Sequence, residues 1–203
     1  MFKKPINKPA HPEPVKGHAS VFTQFIIYSA GAILLRLITA GSVFATIKFI
    51  PPDQFGLLSL LNNLMIFLPI ILGLGLRQVL AIEFFNTKNV WCLIWELVTI
   101  YLFFAIPTIL FLLLNLNFLN QLLFLNQINN NLMILAIITS LLNFFPEMLF
   151  QFLRFQNQAL KLAAIQIVMG LILAITTIYL LKFCNLGLAS IIWAQFIAQF
   201  LIT

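Results

Sequence analysis

The sequence contains very few charged residues. Only 8% of its 203 residues are Asp, Glu, Lys or Arg, whereas soluble domains contain about 25%. A chain with so little charge cannot cover a water-exposed surface, which excludes a soluble globular fold.

Residues that serve in catalysis are also scarce. The two histidines, His11 and His18, both lie near the start of the chain, and the predicted loops contribute only the carboxylates of Asp53 and Glu83. Two histidines alone leave a zinc site short of ligands, so we expect no metal and no other cofactor. Without clustered carboxylates or histidines at the water interface, an enzyme is the weaker class, and we expect a protein that is not an enzyme.

What the chain has in abundance is apolar sequence. Hydrophobic residues make up 62% of it, and the mean hydropathy is +1.07. Its long uncharged runs match the roughly 20 residues that a helix needs to cross about 30 Å of hydrocarbon. Continuous Leu, Ile and Phe runs disfavour a transmembrane barrel, whose strands alternate. We therefore predict an all-α polytopic membrane protein.

The apolar runs predict six membrane helices after a basic, proline-rich tail. The tail covers residues 1–20 and is expected to be disordered. The helices are expected at about 22–47, 57–82, 91–114, 132–153, 162–183 and 187–203, and the chain ends inside the last.

Two of the predicted segments have unusual composition. Pro69, Gly73 and Gly75 fall in the second helix, which we expect to bend. The segment 115–131 is rich in Asn, Leu and Phe, and we interpret it as an outer loop, with an interfacial amphipathic helix as the alternative.

Basic residues concentrate on one side of the predicted helices. That side holds Lys3, Lys4, Lys8, Lys16, Lys88, Arg154 and Lys161, and the other side holds Lys48 and Lys182. Because basic loops stay in the cytoplasm, the amino terminus is predicted to be cytoplasmic. These residues form no patch, so the net charge of +6 does not indicate a nucleic-acid partner.

Arg36 lies in the middle of the first predicted helix. It shares a face with small polar residues such as Ser29 and Thr39. A guanidinium near the bilayer centre costs about 3 kcal/mol on the translocon scale, so we expect it to face water, protein or an anionic ligand. An ion pair with Glu96 or Glu147 is the structural alternative.

Polar residues also line one face of other predicted helices. Asn62 and Arg77 share a face of the second helix, Asn143 and Glu147 share one of the fourth, and Glu96 lies in the third. For Arg77 head-group anchoring, and for Glu147 helix packing, are alternative interpretations. The candidate substrate-binding residues are Arg36, Arg77, Asn62 and Asn143, and the candidate coupling carboxylates are Glu147 and Glu96.

The order of motifs between residues 29 and 80 is recognisable. A helix with a central Arg36 is followed by Pro-x-x-Phe-Gly at 52–56 and by Gly-Leu-Gly-Leu-Arg at 73–77, and Phe-Leu-Arg-Phe-Gln-Asn-Gln follows at 152–158. Over about residues 22–203 this order resembles polysaccharide and O-antigen flippases of the multidrug/oligosaccharidyl-lipid/polysaccharide exporter superfamily.

The resemblance implies a MATE-like exporter fold with two six-helix lobes around a cavity that opens alternately to either membrane face. This chain would be one lobe, truncated in helix 6. The implied cargo is a lipid-linked oligosaccharide, an undecaprenyl-pyrophosphate sugar exported through the bacterial plasma (inner) membrane, with Arg36 and Arg77 attracting the pyrophosphate.

The implied partners are membrane lipid and either a second transporter lobe or another copy of the chain. A fragment or a degenerate copy is also possible. A cation-coupled multidrug antiporter half and a non-transporting membrane scaffold subunit are the alternative functions.

Overall fold

The described part of the chain is all-helical and contains no strand. The computed structural model describes residues 18–73, 75–87, 89–184 and 186–202, so most of the predicted tail lies outside it. The helices are α1 His18–Ile47, α2 Pro52–Gly73, α3 Leu76–Glu83, α4 Val90–Leu114, α5 Leu116–Phe124, α6 Asn130–Leu142, α7 Phe144–Phe155, α8 Ala159–Phe183 and α9 Ala189–Phe200.

Five helical segments are long and apolar enough to cross a membrane. They are Phe22–Ile47, Pro52–Gly73, Val90–Leu114, Asn130–Phe155, which joins α6 and α7, and Ala159–Phe183. The helix predicted from 187 onward is the shorter apolar α9. The protein is therefore compatible with a multi-pass membrane fold.

The helices form a row in which α1 packs on α8, α8 on α9, α9 on α6, and α6 on α2. The ends of α1 and α8 meet the starts of α2 and α9 around one cavity, and we call this the turn end of the bundle. The starts of α1 and α8 lie together at the opposite end, the amino-terminal end. The helices α1 and α8 therefore run parallel.

Two glycines bring α1 and α8 close together. A β-carbon at Gly31 would lie 2.8 Å from the β-carbon of Ala163, and one at Gly170 would lie 2.6 Å from a methyl of Leu35. Small residues allow such close approach of membrane helices, whose association depends on packing. The residues of α1 that face α8 are thereby defined.

The predicted second helix, 57–82, is two helices. α2 ends at Gly73 and α3 begins at Leu76, after Gly75 in the left-handed conformation with φ of 75°. Glycine adopts this conformation without steric cost, so the predicted bend is a complete break. Pro52 begins α2, where the missing amide hydrogen of proline is not needed.

The predicted fourth helix, 132–153, is also divided. α6 ends at Leu142 and α7 begins at Phe144, with Asn143 between them. Pro146 lies in the first turn of α7. The first turn tolerates the missing amide hydrogen of proline, whereas the interior of a helix does not. The backbone nevertheless stays helical through Asn143, whose φ and ψ are −61° and −22°, and the amide of Glu147 donates to the carbonyl of Asn143 at 3.4 Å. Asn143 and Glu147 therefore remain one helical turn apart, as predicted.

The segment 115–131, interpreted as an outer loop with an amphipathic helix as the alternative, contains a helix, because residues Leu116–Phe124 form α5. Asn120 and Phe124, one turn apart, are buried. The amide nitrogen of Asn120 donates to the carbonyl of Ile128 at 2.6 Å and to Oδ1 of Asn130 at 2.9 Å. These bonds hold α5 against the start of α6.

The core lies between α2, α4 and the α6–α7 segment. Tyr101 stacks on Phe144 with ring centroids 3.7 Å apart. Its hydroxyl donates to the carbonyl of Leu141 at 3.0 Å, two residues before Asn143. The carbonyl of Leu141 therefore has a hydrogen-bond partner inside the core.

Candidate functional site

The polar face of α1 runs between two cavities. Ser29 and Ala32 line one near the amino-terminal end, and Thr39 and Val43 line the other near the turn end. Arg36 lies about one turn from Ala32 and from Thr39, between the two cavities. The residue is exposed, so no other described helix covers it.

Arg36 forms no ion pair with any described residue, so the expected alternative of a pair with Glu96 or Glu147 is not realised. Glu147 is paired with Arg77 instead. Glu96 lies on α4, where its carboxylate accepts from the thiol of Cys92 at 3.6 Å. The physical reason is the helix order, in which α1 packs on α8 while α3 packs on α7.

The turn-end cavity encloses about 340 Å³ between α1, α2, α8 and α9. Its polar walls carry hydroxyls and amides, and no charged side chain is found among its lining residues within the described ranges. The hydroxyl and amide side chains that define this hydroxyl–amide cavity include those of Ser42, Thr46, Ser59, Asn62, Thr177 and Gln195.

Hydrogen bonds satisfy several of the polar side chains that line the hydroxyl–amide cavity. The amide of Gln195 donates to Oδ1 of Asn62 at 3.3 Å and joins α9 to α2. Thr39, Ser42 and Thr46 each donate to a carbonyl of α1 at 2.7–2.8 Å, which leaves their oxygens free to accept. The cavity can therefore hydrogen-bond a neutral polar group but provides no counter-charge for an ion.

The second candidate arginine, Arg77, lies where α3 meets α7. Its guanidinium forms an ion pair with Glu147, and the two side chains are 33% and 32% exposed. Oε1 of Gln151, one turn after Glu147, is buried without a hydrogen-bond partner. Because Glu147 neutralises it, Arg77 is a weaker attractor of an anion than Arg36.

The remaining predicted site residues do not join this group. Asn143 is half-buried at the break between α6 and α7, and Glu96 is exposed on α4. The structure therefore brings together Arg77 with Glu147 and Asn62 with the face of α1. It does not bring Arg36 to either candidate carboxylate.

The sequence interpretation missed several residues around the cavities. Gln166 and Thr177 lie on α8 and line the amino-terminal and turn-end cavities, respectively. Their spacing of 11 residues, three turns, puts them on one face, so a helical projection of α8 could have found them. Gln195 and Tyr28 carry no comparable signal, because their neighbours are decided by the packing of whole helices.

The chain matches no family model, no curated protein and no solved structure. The resemblance to flippases accordingly stays a prediction based on the motifs. Among the described residues, no group of three or more His, Cys, Asp and Glu side chains could hold a metal ion. The functional argument therefore depends on the cavities and on Arg36.

Proposed function

We propose that this chain is one lobe of an exporter that moves an undecaprenyl-pyrophosphate oligosaccharide across the bacterial inner membrane for polysaccharide or O-antigen biosynthesis. The observation that carries the proposal is the position and exposure of Arg36. It lies in the middle of an apolar span, is exposed, and has no carboxylate partner among the described residues. A cation kept there at a cost of about 3 kcal/mol needs an anionic or aqueous neighbour.

The chemistry of the α1 face suits such a cargo. A guanidinium stays charged and can donate two parallel hydrogen bonds to phosphate oxygens. The hydroxyl–amide cavity begins at Thr39, one turn from Arg36, and offers neutral donors and acceptors that match sugar hydroxyls. The cargo would therefore place its pyrophosphate at Arg36 and its sugars toward the turn end. No bond in the cargo is broken.

The exposed side of α1 also requires a partner in this proposal. Large apolar side chains on α1, among them Ile33, Leu37 and Phe44, are exposed together with Arg36. A transport cavity needs walls on both sides, and a second lobe or another copy of the chain would supply the missing wall. Rocking of the two lobes would open the Arg36 site alternately to each membrane face.

Complementation of a deletion strain tests the role of Arg36. We expect the deletion to accumulate lipid-linked oligosaccharide on the inner leaflet, and the wild-type gene to restore export. Arg36→Ala should fail to restore it at equal membrane abundance, because the substitution removes the proposed pyrophosphate ligand, and the side chain is exposed. Lys48→Ala, which removes an exposed cation at the end of the same helix, should restore export. Full rescue by Arg36→Ala would remove the arginine from the mechanism.

Labelling of a cysteine at position 36 tests whether the site is wet. The free thiols of Cys92 and Cys184 are exposed and are first replaced by serine. A membrane-impermeant maleimide should then modify Arg36→Cys and spare Leu35→Cys, which faces Gly170 of α8. An unreactive position 36 in the assembled transporter would refute a water-accessible phosphate site.

A cation-coupled drug antiporter is the second candidate, and the Arg77–Glu147 pair is the observation that favours it. A carboxylate that is paired inside a membrane segment can exchange its partner for a cation or a proton. Drug sensitivity of the deletion strain with unchanged polysaccharide, reproduced by Glu147→Gln, would select this candidate. If the polar substitutions change only protein abundance, a membrane scaffold accounts for the chain better than either transporter.

A further inference from the structure

The cavity at the amino-terminal end combines a free cation with an unpartnered hydroxyl. It encloses about 440 Å³ between α1, α8 and the end of α7. Its polar lining consists of Tyr28, Ser29, Arg154 and Gln166, and its other lining residues are apolar. We call it the arginine–tyrosine cavity. It shares the face of α1 with Arg36 but belongs to a different part of the helix.

Arg154 gives this cavity an uncompensated positive charge. The residue is exposed, and no described carboxylate pairs with it. The cavity lining contains no Asp or Glu. Arg154 is the penultimate residue of the apolar segment Asn130–Phe155, at the depth where a membrane span meets the polar head groups. The cavity therefore attracts an anion at the edge of the hydrocarbon.

Tyr28 supplies the second, independent observation. Its hydroxyl oxygen is buried and has no hydrogen-bond partner in the described structure. A buried hydroxyl without a partner is unfavourable, and most such groups in folded proteins are satisfied by protein, water or a ligand. A phosphate oxygen could accept from the Tyr28 hydroxyl, while Ser29 and Gln166 offer further donors.

We propose that the arginine–tyrosine cavity binds a phosphate group, carried either by a lipid head group or by a soluble phosphate ester. Arg154 provides the charge and a fork of donors, and Tyr28 donates a hydrogen bond from the cavity wall. Tyr28 precedes Arg36 by eight residues, about 12 Å along the helix, so the two positions are separate phosphate sites. This inference does not depend on export, because it concerns binding alone.

Binding to the purified full chain in nanodiscs tests the inference. The measurements use an Arg36→Gln background, so that the cation of the proposed transport site is absent. The probe is dioctanoyl phosphatidic acid, dioctanoylglycerol is the control without a phosphate, and inorganic phosphate is the soluble competitor. We expect the phosphatidic acid to bind and the dioctanoylglycerol not to bind. Competition by inorganic phosphate would identify a soluble phosphate ester as the natural ligand. Absence of competition would identify a lipid head group as the natural ligand.

Substitutions then assign the binding to the cavity. Arg154→Gln should weaken the affinity about tenfold or more, and Tyr28→Phe should weaken it about tenfold, as expected for a hydrogen bond to a charged group. Lys161→Gln removes an exposed cation at the same end of α8, outside the cavity, and should leave the affinity within about twofold. Arg154→Lys should restore it only in part, because lysine keeps the charge and loses the fork.

Two results would overturn the inference. Equal losses in Arg154→Gln and Lys161→Gln would show attraction by surface charge alone, and unchanged binding in Tyr28→Phe would show that the cavity is not the site. Tyr28→Phe removes one oxygen and keeps the ring, so its fold is preserved. It decides the matter even if Arg154→Gln is unstable, and circular dichroism of each variant checks the helical content.

Discussion

Replacing Gly31 by alanine tests the close packing of α1 against α8. The new β-carbon would lie 2.8 Å from Cβ of Ala163 and 3.3 Å from its Cα. Favourable carbon–carbon contacts are about 3.5–4.0 Å, so both atoms are too close. Neither atom of Ala163 can move away by rotating a side chain. The two helices must therefore separate locally for the alanine to fit.

The expected size of the effect follows from two opposing contributions. Overpacking of a tight contact costs about 1–3 kcal/mol. Alanine is favoured over glycine inside a helix by about 1 kcal/mol, which offsets part of that cost. Gly41→Ala is the matched control, because a β-carbon at this position of α1 meets nothing within 4 Å. The difference between the two variants cancels the helix preference and should equal the packing cost, about 1–3 kcal/mol.

Unfolding in mixed dodecylmaltoside and dodecylsulfate micelles measures this difference. Fluorescence of the three tryptophans reports the transition, and the free energies of unfolding are compared at one dodecylsulfate fraction. We expect Gly31→Ala to unfold at a lower dodecylsulfate fraction than Gly41→Ala. If the two variants unfold together, or if Gly31→Ala is the more stable, α1 does not pack on α8 through this glycine. The orientation inferred for Arg36 would then lose its basis.

Two further substitutions probe the Arg77–Glu147 pair and the α5 segment. Glu147→Gln should destabilise the chain by about 1 kcal/mol or less, because both charges are about one-third exposed and screened. Adding Arg77→Gln should not destabilise the chain further. An additive second loss in the same unfolding assay would argue against the pair. Asn120→Ala removes both side-chain bonds that hold α5 to α6, so hydrogen exchange should accelerate over residues 116–128 and not in α8. Unchanged exchange there would show that these bonds do not hold the segment.

The orientation of α1 connects these predictions to function. Gly31 and Leu35 contact α8, and Arg36 is consequently turned out of that contact. Arg77, in contrast, is held against Glu147 by the packing of α3 on α7. The two arginines predicted to attract the pyrophosphate thus differ in charge balance. Among the described residues, Arg36 and Arg154 lie beside a cavity and have no carboxylate partner, so each offers a phosphate group an unneutralised guanidinium.

The helix breaks show how far local patterns reach. Gly73, Gly75 and Pro69 predict a bend in the second span, and the structure places a full break there. Pro146 gives the same kind of signal in the fourth span, but the interruption at Asn143 was not predicted. The local sequence does not distinguish a proline near the start of a helix from a proline inside a helix. A helix at 115–131 was only the alternative interpretation, because the buried Asn120 of α5 acquires its partners Ile128 and Asn130 only when the start of α6 lies beside it.

Compatibility with a multi-pass membrane fold follows from the composition and from the lengths of the apolar runs. An uninterrupted apolar stretch must satisfy its backbone hydrogen bonds internally once in lipid, and a helix does so without help from any other part of the chain. Helix neighbours follow a different rule. In lipid the apolar faces of helices gain little by choosing one another, so their contacts depend on shape, such as Gly31 against Ala163. That packing decides three features: the pairing of Arg77 with Glu147, the exposed position of Arg36, and the two cavities. No local sequence pattern predicts which helices pack together.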